Sequence, residues 1–159
     1  MSEIVNVTAW RDLGGGKMAP AGSINDPGVA SILSDYKRHV AGSYRSGAPT
    51  EIETVIPPGN HIVSEKIDGE TWFLHVDRGN AVLLSPTGKA LEGVPVIREA
   101  EQILFGWSGV LAGELYATVN TGRPRVFDLH AALGREPLLK RLRFTVFDIL
   151  RDGDSDAQE

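Results

Sequence analysis

Short apolar segments separated by turn residues dominate the chain from residue 60 onward. Asp68-Gly69 and Arg78-Gly79-Asn80 are typical of tight turns, and they divide residues 60–85 into three apolar runs. Two further apolar runs lie nearer the C-terminus. We therefore predict strands over 62–67, 71–76, 81–84, 110–119 and 144–150, and we expect the last of them to be buried. Because tight turns join neighbouring strands, the sheet should be antiparallel.

Other segments have the spacing of helices. Asp26 can cap a helix that begins at Pro27, and apolar residues then recur on one helical face, at Val29, Ile32, Leu33, Tyr36 and Val40. We predict helices over 26–40 and 96–104, a short helix capped by Asp128 that ends at 133, and another over 137–142. Residues 1–22 are rich in glycine, so we expect an irregular arm there.

The order of these elements defines the expected architecture. Strands in runs, interrupted by helices without regular β-α-β alternation, predict an α+β domain built on an antiparallel sheet. The chain has 159 residues, enough for one hydrophobic core. We divide it into an N-terminal arm and helix (1–56), a main domain (57–153) and a disordered acidic tail (154–159).

Net charge and composition exclude several classes of function. The net charge of −5 argues against a protein that wraps nucleic acid over its whole surface. A local basic cluster at Arg135, Lys140, Arg141 and Arg143 is either a binding face or an ordinary solvated helix face. The absence of cysteine excludes disulfides and thiol nucleophiles. No window has the roughly 20 apolar residues of a membrane span, so we expect a cytoplasmic protein with no membrane partner.

The segment with the clearest chemical character is 64–70, which reads Ser-Glu-Lys-Ile-Asp-Gly-Glu and places Lys66 just before a turn. Lys-x-Asp-Gly alone also occurs in ordinary hairpins, where the lysine is a solvated surface residue. Here, three more segments follow in a set order. They are Ser-Pro-Thr-Gly-Lys at 85–89, Ala-Gly-Glu-Leu at 112–115 and Phe-Thr-Val-Phe-Asp-Ile-Leu at 144–150.

This series resembles the covalent nucleotidyltransferases, the superfamily of ATP-dependent DNA ligases, RNA ligases and mRNA capping enzymes. The resemblance covers residues 57–153 and implies an incomplete, ATP-grasp-like ligase adenylation domain. It implies that Lys66 is the catalytic nucleophile, which attacks the α-phosphate of ATP and forms a lysyl-AMP intermediate. AMP would then pass to the 5′-phosphate of nicked or broken DNA or RNA, and a 3′-hydroxyl would seal the strand.

The resemblance also assigns nucleotide-binding roles. It places Glu65 at the border of the adenine, while Asp68 and Gly69 complete the lysine motif. Glu114 matches the acidic residue near ribose and metal, and Phe147 matches the aromatic residue that stacks on the base. Considered singly, Glu114 could be a solvent-facing carboxylate at a strand end, and Phe147 could be a core residue.

Elementary chemistry sets conditions on this reaction. A free lysine has a pKa of about 10.4, so it is almost wholly protonated at neutral pH and cannot attack phosphorus. Desolvation or a nearby cation must release the proton. Mg²⁺ suits one or two carboxylates together with phosphate oxygens, and it offsets charge on the departing pyrophosphate. We therefore expect ATP and Mg²⁺ as cofactors and Glu114 as the metal ligand.

The series departs from the family pattern in several places. Thr71 stands where family ligases often have an arginine, and Pro86 replaces the arginine after the motif serine. The family's later Glu-Gly and Lys-x-Lys segments do not follow residue 150. We expect a downstream segment or a second polypeptide to supply them, and we expect self-adenylation by this chain alone to be slow or absent. The alternatives are a non-catalytic nucleotide- or nucleic-acid-binding relic of the same fold, a capping-type domain that uses GTP, and an unrelated α+β interaction domain.

Overall fold

The computed structural model describes residues 4–40, 47–56, 58–60 and 65–153. In these residues the strands are β1 (Arg11–Asp12), β2 (Lys17–Ala19), β3 (Glu70–Asp77), β4 (Asn80–Leu84), β5 (Ala90–Glu92), β6 (Gly109–Ala117) and β7 (Leu142–Asp152). They form one sheet in the order β1-β2-β5-β4-β3-β6-β7, and every neighbouring pair is antiparallel. The predicted α+β class and antiparallel sheet are therefore confirmed.

The helices of the described residues are α1 (Pro27–His39), α2 (Ile52–Val55), α3 (Pro95–Ile103) and α4 (Val126–Leu133). Short 3-10 helices occupy Val7–Ala9, Pro49–Glu51 and Glu136–Arg141. Within these ranges, no helix combines the length and the apolar character that crossing a membrane requires.

Local signals predicted several elements well. Helix α1 begins at Pro27, and Oδ1 of Asp26 accepts hydrogen bonds from the N–H groups of Gly28 and Val29, at 2.8 and 3.0 Å. Strands β3 and β4 form a hairpin in which Asp77 pairs with Asn80, as the turn sequence predicts. Helix α3 covers the predicted 96–104 segment except for its last residue.

The N-terminal arm is not irregular throughout, and in this respect the prediction was wrong. Strands β1 and β2 form a hairpin whose turn contains Gly14, with a φ of +81° that favours glycine. Oδ1 of Asp12 accepts a hydrogen bond from the N–H of Gly14 at 2.7 Å. Strand β2 then pairs with β5, so the sheet takes strands from both sides of the expected boundary at residue 56.

Three predicted elements differ in extent or type. Of the strand predicted over 62–67, residues 62–64 lie outside the described residues, while residues 65–67 form no strand. Helix α4 begins at Val126, and Asp128 lies inside its first turn, where Oδ2 accepts a hydrogen bond from the N–H of Arg125 at 2.9 Å. The segment predicted as a helix over 137–142 is a 3-10 helix. The predicted tail, 154–159, also lies outside the described residues.

Strand β7 is present, but the prediction that it is buried was wrong. It forms one edge of the sheet, and Val146, Phe147 and Ile149 are 45%, 48% and 61% exposed. An apolar run predicts a strand, but burial depends on which elements cover its two faces and its outer edge.

The two faces of the sheet carry separate cores. On the face that we call the α1 face, Leu33 and Tyr36 of α1 pack against sheet residues that include Phe73, Leu84 and Ala112. On the opposite face, Ile97 of α3 and Leu129 of α4 pack against sheet residues that include Trp72, Leu74 and Leu83. Because side chains alternate between the two faces along a strand, the face on which each β3 or β6 side chain lies follows from its position in the strand. This alternation determines which of the predicted site residues can meet.

Candidate active site

The lysine segment leads directly into strand β3 and lies against β6. The main-chain N–H of Gly69 donates a hydrogen bond to Oε1 of Glu114 at 3.1 Å. The next residue, Glu70, begins β3 and pairs with Leu115 of β6. Two predicted site residues that are 45 positions apart in the chain are therefore in direct contact.

Glu114 lies on the α1 face of the sheet, beyond the part that α1 covers. Its neighbour two positions earlier, Ala112, belongs to the α1-face core, and Thr71 on β3 pairs with Glu114 across the ladder. The hydroxyl of Thr71 donates to Oε2 of Glu114 at 3.5 Å, the long limit of a hydrogen bond. Glu114 is thus a half-buried carboxylate with both oxygens in contact with the lysine segment or β3, not a fully solvated strand-end residue.

Burial raises the pKa of Glu114 above its ordinary value of 4.5. The hydrogen bond from Gly69, the positive charge of Lys66 and the Thr71 hydroxyl act in the opposite direction, but they do not overcome the burial. The carboxylate of Asp68 adds to the upward shift. Lys66 is therefore near enough to Glu114 for its charge to act on the carboxylate.

The side chains of Lys66 and Glu65 are exposed. The main-chain carbonyl of Lys66 accepts a hydrogen bond from the guanidinium of Arg123. This contact anchors the main chain at Lys66, while its side chain stays open to solvent.

Phe147 is placed by an irregularity of strand β7. Ala112 pairs with Asp148, but Gly113 pairs with Val146, so Phe147 is the extra residue of a β-bulge. Its ring stacks on that of Tyr36, with centroids 6.5 Å apart and planes at 28°. The hydroxyl of Tyr36 also donates to Oδ2 of Asp148 at 3.2 Å. The alternative that Phe147 is a core residue is wrong, because about half of its surface is exposed.

Phe147 and Glu114 lie close together along the sheet. Thr145 pairs with Glu114, and Phe147 follows Thr145 by two residues. Two residues of strand span about 7 Å. Because Phe147 stacks on Tyr36, its ring lies on the α1 face, which is also the face of Glu114. The structure therefore brings Lys66, Gly69, Glu114 and Phe147 to one region of one face.

Asp68 has a partner that sequence reasoning missed. Its carboxylate forms an ion pair with the guanidinium of Arg125, with an N–O distance of 3.1 Å. Arg123 and Arg125 belong to the connection between β6 and α4, and neither was among the predicted site residues. An Arg-Pro-Arg sequence before a helix has no spacing rule that links it to a motif 57 residues earlier, so no local signal identifies it.

A second contact that was missed lies on the opposite face. Nε2 of His130, on α4, is 2.7 Å from Oε1 of Glu70, and the indole N–H of Trp72 donates to Oε2 of Glu70 at 3.2 Å. Burial by itself raises the pKa of Glu70, but the hydrogen bonds from His130 and Trp72, with the charges of His130 and Lys89, lower it below 4.5. These contacts attach α4 to the first residue of β3.

The carboxylates fit a cation that is held mainly by a nucleotide. No cluster of three or more metal-ligating side chains exists among the residues described. Each oxygen of Glu114 accepts one hydrogen bond, and an ionised carboxylate has about four acceptor sites, so sites remain for a cation. Mg²⁺ commonly takes one or two protein carboxylates, with phosphate oxygens and water as its other ligands.

The chain is not similar to known proteins by any of three comparisons. No protein-family model, no curated protein and no solved structure matches it. The fold class is therefore established by the structure, and the function must be argued from the residues of the site.

Proposed function

We propose that this chain is the adenylation part of an ATP-dependent polynucleotide ligase, with Lys66 as the nucleophile. The observation that carries the proposal is the hydrogen bond between Gly69 and Glu114, which joins the lysine motif to the acidic motif. These two motifs are adjacent in space although they are far apart in sequence. The pairing of β3 with β6 produces this contact, and it brings the lysine motif beside the acidic motif as the proposed reaction requires.

In the proposed reaction, one bond to the α-phosphorus forms and one breaks. The lone pair of Nζ of Lys66 attacks the α-phosphorus of ATP, and the bond between that phosphorus and the β-phosphate bridging oxygen breaks. Pyrophosphate leaves with the bonding electron pair, and the neutral amine loses one of its two protons to solvent as the bond between nitrogen and phosphorus forms. The product is a phosphoramidate that joins Lys66 to AMP. Positioning and charge stabilisation dominate transfers of this kind.

The proposal gives the remaining residues the roles that the resemblance implies, and their positions are compatible with these roles. Glu114 supplies a carboxylate for Mg²⁺, which neutralises charge on the phosphates when it is bound. Phe147 offers the exposed part of its ring to the base, while Tyr36 supports it on one side. Glu65 is exposed beside the nucleophile and borders the base in this proposal.

The polynucleotide step is part of the same proposal. AMP passes from Lys66 to a 5′-phosphate at a break in DNA or RNA, and a 3′-hydroxyl displaces it. A downstream segment or a second polypeptide supplies the later Glu-Gly and Lys-x-Lys motifs. Arg123 and Arg125 are exposed beside the lysine segment, so positive charge is available near the site of transfer.

Intact-mass measurement after incubation with ATP, Mg²⁺ and a downstream segment that carries the Glu-Gly and Lys-x-Lys motifs tests the proposal. We expect a mass increase of one AMP group, which is absent in Lys66→Ala and retained in Lys140→Ala. Lys140 is a suitable control because it is an exposed lysine in the 3-10 helix after α4. Transfer of the label to a nicked duplex with a 5′-phosphate then tests the ligase assignment, with DNA and RNA nicks compared.

Two observations favour the non-catalytic relic as the second candidate. The side chain of Lys66 is exposed, and no three-residue metal cluster accompanies Glu114 in the described part of the chain. If ATP binds but no adduct forms even with the downstream segment supplied, the relic is correct and the enzyme is not. An adduct with GTP in place of ATP identifies capping chemistry instead.

A further inference from the structure

Two arginines outside the recognised motifs contact the lysine segment directly. Arg123 donates to the main-chain carbonyl of Lys66, and Arg125 pairs with the carboxylate of Asp68. We call these two residues the arginine clamp.

The two contacts are in register. Arg123 and Lys66 are 57 residues apart, and so are Arg125 and Asp68, so the two segments run side by side in the same direction. Alternate residues of an extended chain point to the same side, and Pro124 lies between the two arginines. Arg123 therefore lies opposite Lys66, and Arg125, two residues later, lies opposite Asp68, two residues after Lys66.

The clamp has a rigid support. The N–H of Arg125 donates to Oδ2 of Asp128 in the first turn of α4, which fixes the main chain from which the guanidinium extends. Leu129 and Ala132 bury α4 in the core. His130, from the same helix, contacts Glu70 on the other side of Gly69. Residues 123–130 therefore hold the lysine segment at three successive points, at positions 66, 68 and 70.

We propose that Arg123 and Arg125 are positioning residues, which fix the main chain at Lys66 so that its amine is presented beside Glu114. This inference rests on the proposed role of Lys66 as the nucleophile. Exposed ion pairs add little to global stability, and the Arg125–Asp68 pair is partly exposed. The effect of the clamp is therefore local: it restricts the few residues whose placement determines the attack on phosphorus.

The test uses the double variant Arg123→Ala/Arg125→Ala, the single variant Arg125→Lys, and Arg135→Ala as a control. Arg135 is an exposed arginine beyond the other end of α4, so its removal changes the net charge without touching the clamp. At saturating ATP, we expect the double variant to lose at least about 10-fold in the rate of AMP uptake, because misplaced nucleophiles react slowly. The ATP concentration that gives half the maximal rate should change by less than about twofold, since the nucleotide contacts remain.

Arg125→Lys retains the charge and should recover part of the lost rate, whereas Arg135→Ala should match the unmodified chain. A melting temperature close to that of the unmodified chain excludes global unfolding as the cause. If the half-saturating ATP concentration rises while the maximal rate is unchanged, the arginines bind nucleotide and the positioning role is wrong.

A second readout needs no ATP. The amide of Gly69 is hydrogen-bonded to Glu114 in the segment that the clamp holds, so its hydrogen exchange should become several-fold faster in the double variant. Unchanged exchange at Gly69 overturns the clamp. If the unmodified chain takes up no AMP even with the downstream segment supplied, the proposed function fails by itself, and the exchange measurement still decides whether the clamp holds the segment.

Discussion

The main-chain N–H of Gly69 donates to the carboxylate of Glu114 across 3.1 Å, which connects the loop that carries Lys66 to strand β6. The donor is a backbone group, so its position depends on the path of the loop and not on a rotamer. The acceptor is the one acidic residue of β6. A change at either end should therefore alter the placement of Lys66 as well as local stability.

Gly69→Ala should destabilise the chain and slow AMP uptake. A Cβ at this position would lie 2.3 Å from the carbonyl oxygen of Leu115, and that oxygen belongs to a paired strand that cannot easily move. We expect a loss of about 1–3 kcal/mol in the free energy of unfolding, measured with urea. Gly134→Ala is the matched control, since its nearest neighbour would be 3.5 Å away. Equal effects of the two substitutions would contradict this explanation.

Glu114→Gln should increase stability at neutral pH and reduce AMP uptake. The pKa of Glu114 is raised in the folded chain, so its ionisation opposes folding at pH values above the folded pKa, and this cost disappears below the unfolded value of 4.5. Glutamine keeps an acceptor without the charge. Thermal melts of both chains should therefore differ at neutral pH and converge in acid.

The same substitution removes a carboxylate that is proposed to hold Mg²⁺. We expect the rate of AMP uptake to fall by roughly 10- to 100-fold. A Glu114→Gln chain that is adenylated at the normal rate would show that this carboxylate has no part in the reaction, whatever its effect on stability.

Phe147→Leu should weaken ATP binding with little effect on folding. Stacking of a base on an aromatic ring contributes about 1–3 kcal/mol, which corresponds to an increase of at least about fivefold in the half-saturating ATP concentration. The side chain is half exposed, so its replacement should leave the melting temperature nearly unchanged. Phe105→Leu, at an 85% exposed position, is the control. If both variants bind ATP equally well, Phe147 does not contact the base.

The contact between Glu70 and His130 should contribute to stability in a defined pH range. The pKa of Glu70 is lowered in the folded chain, so its contribution is fully present above the unfolded value of 4.5 and is lost as the pH falls through the folded pKa. Glu70→Gln should reduce the free energy of unfolding above pH 4.5 by less than about 1 kcal/mol, because the pair is partly exposed. Urea titrations across this range measure the difference, and a difference that grows in acid would refute it.

Local sequence signals determined much of the secondary structure. The cap at Asp26 and the proline at position 27 define the start of α1, and both act through neighbouring main-chain groups. The β3–β4 hairpin similarly depends on a turn of a few residues. Interactions of this kind are contained within the segment, so the segment alone predicts them. The role of Lys66 rests instead on the order of several motifs along the chain, and it stays a prediction.

Other features depended on partners far along the chain. The two-residue strand β1 and the short β2 exist because β2 pairs with β5, and their own sequence suggested only a loop. Strand β7 is exposed because it lies at the sheet edge, which an apolar pattern cannot show. The residue types at Arg123 and Arg125 gave no hint of their contacts 57 positions away.

The local sequence was enough to predict the helices that have clear end signals and the hairpin of β3 and β4, while the role of Lys66 stays a proposal. The contact of Gly69 with Glu114, the bulge that places Phe147 beside Tyr36 and the contacts of the two arginines with the lysine segment became visible only in the folded chain. The physical reason is the range of the forces involved. Caps and turns act within a few residues, whereas sheet order and bulge position depend on many contacts that form only when the whole chain packs.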